Sequence, residues 1–150
     1  MGRDRGSGSR SRRRTACARL DEIKTLAERA DKSPARQPEA IRARLAEQVA
    51  TLLAQSDRFD PDRLHQEAIL LATKADVREE LDRLVAHIAQ AQQLIDGGGA
   101  VGRRLDFLAQ EFNREANTLC AKANDVELTN IGLELKAAVE QFREQVQNVE

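Results

Sequence analysis

Tryptophan and tyrosine are absent from this chain, and aromatic residues make up only 3% of its 150 positions. A run of exposed aromatics on which nucleic-acid bases stack is therefore not expected. Cys17 and Cys120 are the two cysteines. One falls in a basic leader and the other inside a helical pattern. A structural disulfide is not expected, which fits a reducing compartment. No apolar run approaches the roughly 18 residues that suggest a membrane span. The N-terminus lacks the apolar stretch of a secretory signal. A cytoplasmic protein with no membrane partner is the expectation. The formal net charge of -1 excludes bulk attraction to nucleic acid, so any such binding must come from local clustering. Zinc-ligand spacing, a nucleophile elbow and a P-loop are all missing.

What is present is helical. Ala, Leu, Glu, Arg and Gln abound, charged residues reach 33%, and the length suffices for one domain with a real core. The predicted architecture is all-α: antiparallel helical hairpins or a bundle, ending in a long C-terminal helix. Residues 1–14 hold six arginines and no aliphatic residue beyond Met1. They read as part of a disordered basic leader over 1–19, able to touch RNA phosphates or to remain a solvated tail. The helical domain is expected over 20–150.

Within it, Leu20, Ile23, Leu26, Ala27 and Ala30 form a first stripe, broken by Pro34 and Pro38. Ile41, Leu45, Val49 and Leu52 form a second. Asp60 and Pro61 mark a helix start. From Leu64 to Ile95 the pattern runs as one long helix or two nearly continuous ones. Gly97, Gly98 and Gly99 end it in a flexible reversal. Leu105, Leu108, Phe112, Ala116 and Leu119 mark another inner face. Asn124 and Asp125 interrupt or cap. Leu128, Ile131, Leu135, Val139, Phe142, Val146 and Val149 make a heptad-like seam, long enough to predict self-association unless earlier helices cover it. Phe107 and Phe112 fit helix packing. His65 reads as a surface residue and Cys120 as a small packing residue.

Two polar constellations stand out. Asp76, Glu80, Arg83 and His87, spaced four, three and four apart, share one helical face, with Glu79 beside them. Such carboxylates can hold Mg²⁺ or Mn²⁺, and His87 can ligate or move a proton. A solvated charged face is the simpler reading of that set alone. The second set is denser: Arg103, Arg104, Asp106, Gln110, Glu111, Arg114, Glu115, Asn117, Thr118 and Lys122. Glu111, Glu115, Thr118 and Lys122 form one stripe, and Asp106 and Gln110 a neighbouring one. Arg and Lys pair with phosphates, and Asn, Gln and Thr hydrogen-bond phosphate, sugar or base edges. Carboxylates act on phosphates through a metal. This mixture suits metal-assisted phosphodiester cleavage and, equally, an interhelical salt-bridge network.

The segments R-L-H-Q-E at 63–67, A-D-V-R-E-E-L-D-R-L-V-A-H at 75–87, G-G-A-V-G-R-R-L-D-F-L-A-Q-E-F-N-R-E-A-N-T-L-C-A-K at 98–122 and the ending at 133–150 resemble the YicC/YloC family. The similarity runs over roughly residues 20–150. It implies a stress-associated bacterial endoribonuclease that requires a divalent metal, Mn or Mg, and assembles as a ring-like hexamer. Carried over by position, it makes the two constellations the candidate site, in which His87, Glu111 and Glu115 are the expected catalytic residues. It implies RNA binding by Arg83, Arg103, Arg104, Gln110, Arg114, Asn117, Thr118 and Lys122. Asp76, Glu79, Glu80, Asp106, Glu111 and Glu115 become the implied metal ligands, and Glu67 a further candidate. Family members carry about as much chain again ahead of this region, including an N-terminal domain. Its place here is taken by the basic leader, which reads as a truncation, a partial gene or a shifted frame. The alternative from a different class is a non-catalytic helical oligomerisation module associated with RNA.

Overall fold

The computed structural model describes residues 2–98, 101–123 and 125–147. Gly99, Asn124 and Val149, which the sequence reading invoked, lie outside the described residues. The described part holds six α-helices and no strand. They are α1 (Gly2–Asp31), α2 (Pro38–Ala54), α3 (Pro61–Thr73), α4 (Arg78–Gly97), α5 (Gly102–Lys122) and α6 (Val126–Val146).

Four of them form a bundle. α1 packs on α4 and α6, and α5 packs on the same two from the other side. Short reversals set the antiparallel order. Gly98, at φ +70°, closes α4 in a conformation that favours glycine. Asp125 opens α6 by accepting a hydrogen bond from the Leu128 backbone N at 2.8 Å. The core is aliphatic, with one aromatic pair at its centre: Phe112 and Phe142 lie 5.6 Å apart, tilted by 49°. Each fully buried Leu, Ile or Phe contributes roughly 1.5–3 kcal/mol.

The helices α2 and α3 are different. They pair with each other as a hairpin inserted between α1 and α4, and neither contains a buried residue. Pro34 and Pro38 separate this hairpin from α1. Asp60 caps α3, accepting from Arg63 N at 2.8 Å. The stretch read as one long helix, or two nearly continuous ones, is two helices broken at 74–77. There Asp76 Oδ1 accepts from Val77 N at 2.7 Å and from Arg36 Nε at 3.2 Å. A short acid that binds its own backbone competes with the helix.

Within the span read as a leader, α1 begins at Gly2, Ala16 is fully buried and Cys17 packs against the core. The apolar stripe of α1 extends one turn further back than its Leu and Ile suggest, through a residue as small as alanine. The seam of α6 is covered by other helices of the chain. Leu128, Ile131, Leu135, Val139, Phe142 and Val146 are all buried within the chain, under α1 and α5. Among the described residues no helix is long and apolar enough to cross a membrane.

Candidate functional site

The antiparallel packing of α4 on α5 merges the two constellations. Along α4, Glu80, Arg83 and His87 point to one side. Along α5, in reverse order, Lys122, Glu115 and Glu111 meet them. The result is a ladder of three rungs. Lys122 Nζ donates to Glu80 Oε1 at 2.7 Å, Arg83 Nε donates to Glu115 Oε1 at 3.0 Å, and His87 Nε2 lies 3.9 Å from Glu111 Oε2. Arg83 also reaches Glu79 and Glu80, each at 3.6 Å.

Burial sharpens this ladder. Glu80 and Glu115 are only 2% and 4% exposed. A carboxylate so far from water survives as an ion only if it is paired. Glu115 compensates through Arg83, whose guanidinium it holds above its ordinary value. The hydrogen bond from Arg83 to Glu115 is the main cause, followed by the Glu115 charge, with smaller help from Glu80 and Glu79 against the cost of desolvation. Glu79, Glu80, Glu111 and Glu115 face two fixed cations, Arg83 and Lys122.

Ligand geometry points to the upper rung. His87, Glu111 and Glu115 each offer one donor atom, and the three atoms lie within 4.8 Å of one another. Two carboxylate oxygens and an imidazole suit Mn²⁺ and, with more water, Mg²⁺. His87 Nδ1 is buried without a hydrogen-bond partner, as is Glu80 Oε2. These residues fit a divalent ion.

The other predicted ligands lie elsewhere. Asp76 is engaged by Arg36 and Val77 at the start of α4. Asp106 turns toward α6, where Arg143 Nε donates to it at 3.3 Å, and Gln110 donates at 3.1 Å. Glu79 is on the rim, with its side chain 82% exposed. Glu67 sits on the hairpin helix α3. Among the predicted RNA contacts, Arg103, Arg104, Arg114 and Asn117 are exposed. The Thr118 hydroxyl is taken up by the Arg114 carbonyl at 3.0 Å. Lys122 is paired with Glu80, and its side chain is only 16% exposed. A helical-wheel count could not show this, because the partner lies on another helix.

One residue was misread. Phe107 was expected to pack, and it is 59% exposed. It lines a groove of about 490 Å³ between α4 and α5, together with Gln90, Gln93, Leu94, Arg103, Arg104 and Leu108. The signal lay in the spacing: Phe107 falls between Asp106 and the inward Leu105 and Leu108, on the outer side of the helix.

The described helices thus form a bundle with a His–Glu–Glu cluster and, beside it, a groove lined by Arg103 and Arg104 along α4 and α5. Residues 22–150 match the family described as "Endoribonuclease YicC-like, C-terminal", and the chain belongs to that family. The "Probable endoribonuclease YicC" of Haemophilus influenzae is 52% identical over 92 residues, covering 61% of this chain and 32% of the relative. That of Clostridioides difficile is 37% identical over 132 residues, covering 88% of this chain and 45% of the relative. In these alignments the chain spans from just under a third to just under half of the relatives' length.

Proposed function

We propose that this chain carries the ion-binding helices of a metal-dependent endoribonuclease. The observation that carries the reading is the convergence of His87, Glu111 and Glu115 within 4.8 Å, beside a cation-lined groove. A bound Mn²⁺ or Mg²⁺ would supply Lewis-acid activation of the phosphate and of the attacking oxygen. Glu111 and Glu115 would hold that ion, with His87 completing the set or accepting a proton from the nucleophile. Arg83 fixes the Glu115 carboxylate through the 3.0 Å hydrogen bond. Arg103 and Arg104 would hold the RNA backbone at the groove rim. Glu80 and Lys122 act as the structural foot of the ladder. Cytoplasmic RNA is the substrate in this reading, and a hexameric ring its assembly.

The test is cleavage of labelled RNA by purified protein with Mn²⁺, with Mg²⁺ and with EDTA, for the parent, His87→Ala and Glu111→Gln. Loss of cleavage in EDTA and in both variants, with helicity intact, supports the proposal. Metal-independent cleavage removes the ion from the reaction. Cleavage by the Haemophilus influenzae relative, without cleavage by this chain, assigns the reaction to the longer protein.

A second reading, a helical assembly module, finds support in the hairpin. Leu53, Ile69 and Leu70 are each about half exposed there, and the hairpin has no core of its own. If Ile69→Lys lowers the mass measured by light scattering while RNA cleavage was never present, this second reading prevails.

A further inference from the structure

We infer that the groove around Phe107 takes a single unpaired RNA base, held next to the phosphate at the His87–Glu111–Glu115 cluster; the inference rests on the RNA reading above. Phe107 is the one described phenylalanine that is largely exposed, at 59%. Its ring stands in a groove of about 490 Å³, within the range of roughly 300–1,000 Å³ found for small-ligand sites. Leu94 and Leu108 give the groove an apolar wall, Gln90 and Gln93 contribute amides, and Arg103 and Arg104 line the same space. An aromatic face stacks on any base, an amide reads a base edge, and a guanidinium binds the adjoining phosphate. Among the described residues neither arginine takes part in an ion pair, and both are exposed, so a phosphate can reach them.

Position ties the groove to the chemistry. Gln90 lies three residues beyond His87 on α4, and Phe107 lies four residues before Glu111 on α5. At 1.5 Å per residue the groove sits about 5–6 Å along the helix pair from the cluster, the order of one nucleotide step. A base inside a duplex cannot reach Phe107, because its faces are already stacked. The groove therefore selects single-stranded or flipped-out nucleotides. A second copy of the chain is the competing occupant, and the concentration dependence measured below distinguishes it.

The chain has no Trp or Tyr, so Phe107→Trp creates a unique fluorescent probe at this spot. Titration with a short single-stranded RNA in EDTA reads base stacking without the ion and without cleavage. The expected result is saturable quenching by the single strand, with none from inorganic polyphosphate or from a blunt duplex of the same length. Phe107→Ala, with unchanged helicity, should weaken single-strand binding by about 5- to 150-fold. Arg104→Ala should reduce the salt slope of binding by about one. Unchanged affinity in Phe107→Ala, or equal quenching by the duplex or by polyphosphate, overturns the base pocket even if cleavage persists. Emission that shifts with protein concentration and not with RNA makes the groove a contact between copies and also overturns it. Quenching retained in His87→Ala keeps the pocket even if the catalytic role of the cluster fails.

Discussion

Lys122, the last residue of α5, places its ammonium 2.7 Å from a carboxylate oxygen of Glu80, in the first turn of α4. Glu80 is 2% exposed and its other oxygen has no partner. The pair thus sits at the junction where α4 begins and α5 ends. Its worth lies in what happens when half of it is removed. Lys122→Met leaves a buried carboxylate with only the more distant Arg83, at 3.6 Å, and should cost about 3–5 kcal/mol. Glu80→Gln with Lys122→Met removes both charges and should recover most of that loss. Urea unfolding of the two single variants and the double variant gives the coupling directly. Additive losses would show that the pair does not act as a unit.

Helix α6 approaches α5 closely at Gly132. A methyl group there would lie 2.6 Å from Cys120 Sγ and 3.1 Å from a Leu119 methyl carbon. In a free helix, alanine outranks glycine by up to about 1 kcal/mol. Here overpacking reverses the sign, and Gly132→Ala should destabilise by about 1–3 kcal/mol. Cys120→Gly in the Gly132→Ala background should relieve the clash and raise the thermal midpoint above that of Gly132→Ala alone. A stabilised Gly132→Ala protein would show that α5 and α6 do not approach this closely.

Much of this fold was legible in the sequence because helices announce themselves locally. The stripes at Leu105–Leu119 and Leu128–Val146 follow the 3.6-residue period, and Asp60 and Asp125 cap where a short acid precedes an apolar run. What escaped the reading depends on a second helix. That Arg83 meets Glu115, or that Lys122 is consumed by Glu80, follows from the α4–α5 register, which no single-helix pattern contains. The fate of the α6 seam turned on whether α1 covers it, and α1 was cut short because its first apolar contact is an alanine. Phe107 was misplaced because an aromatic residue was assumed to face inward. Asp106 lies on the same helix as Glu111 and Glu115, and Asp76 just ahead of α4, yet Arg143 and Arg36 draw them away.

Cys17 yields a prediction in pH. Partial burial raises its thiol above the ordinary value of 9.0, with Asp96 and then Asp21 adding to the shift. The thiolate is the reactive species, so iodoacetamide should label Cys17 in the folded protein more slowly than a free thiol at about pH 8. Asp96→Asn should speed the labelling. The folded protein holds this proton more tightly than the unfolded chain. The resulting stability is complete below pH 9.0 and is lost as pH rises through the higher folded value. Denaturation curves at about pH 8 and pH 10 should therefore diverge less in Cys17→Ala than in the parent. Labelling of folded Cys17 at the rate of the denatured chain would refute the shift.

Ala16 separates a folded N-terminal helix from an unfolded leader. It is fully buried on α1, one turn before Leu20, and joins the same core cluster as α4 and α6 residues. An unfolded leader would tolerate any residue at this position, since water would surround it. A packed one cannot accept a charge, because a carboxylate at this place would find no cation among the apolar side chains of the core. Ala16→Asp should therefore cost about 3–5 kcal/mol, the penalty of an uncompensated buried charge. Serine at the same position should cost far less, since a hydroxyl can return its hydrogen bond to the helix backbone four residues earlier, as Thr15 does to Ser11 at 2.9 Å. Urea midpoints for the parent, Ala16→Ser and Ala16→Asp should fall in that order. Three equal midpoints would return residues 1–19 to the status of a leader and place the start of the fold at Leu20.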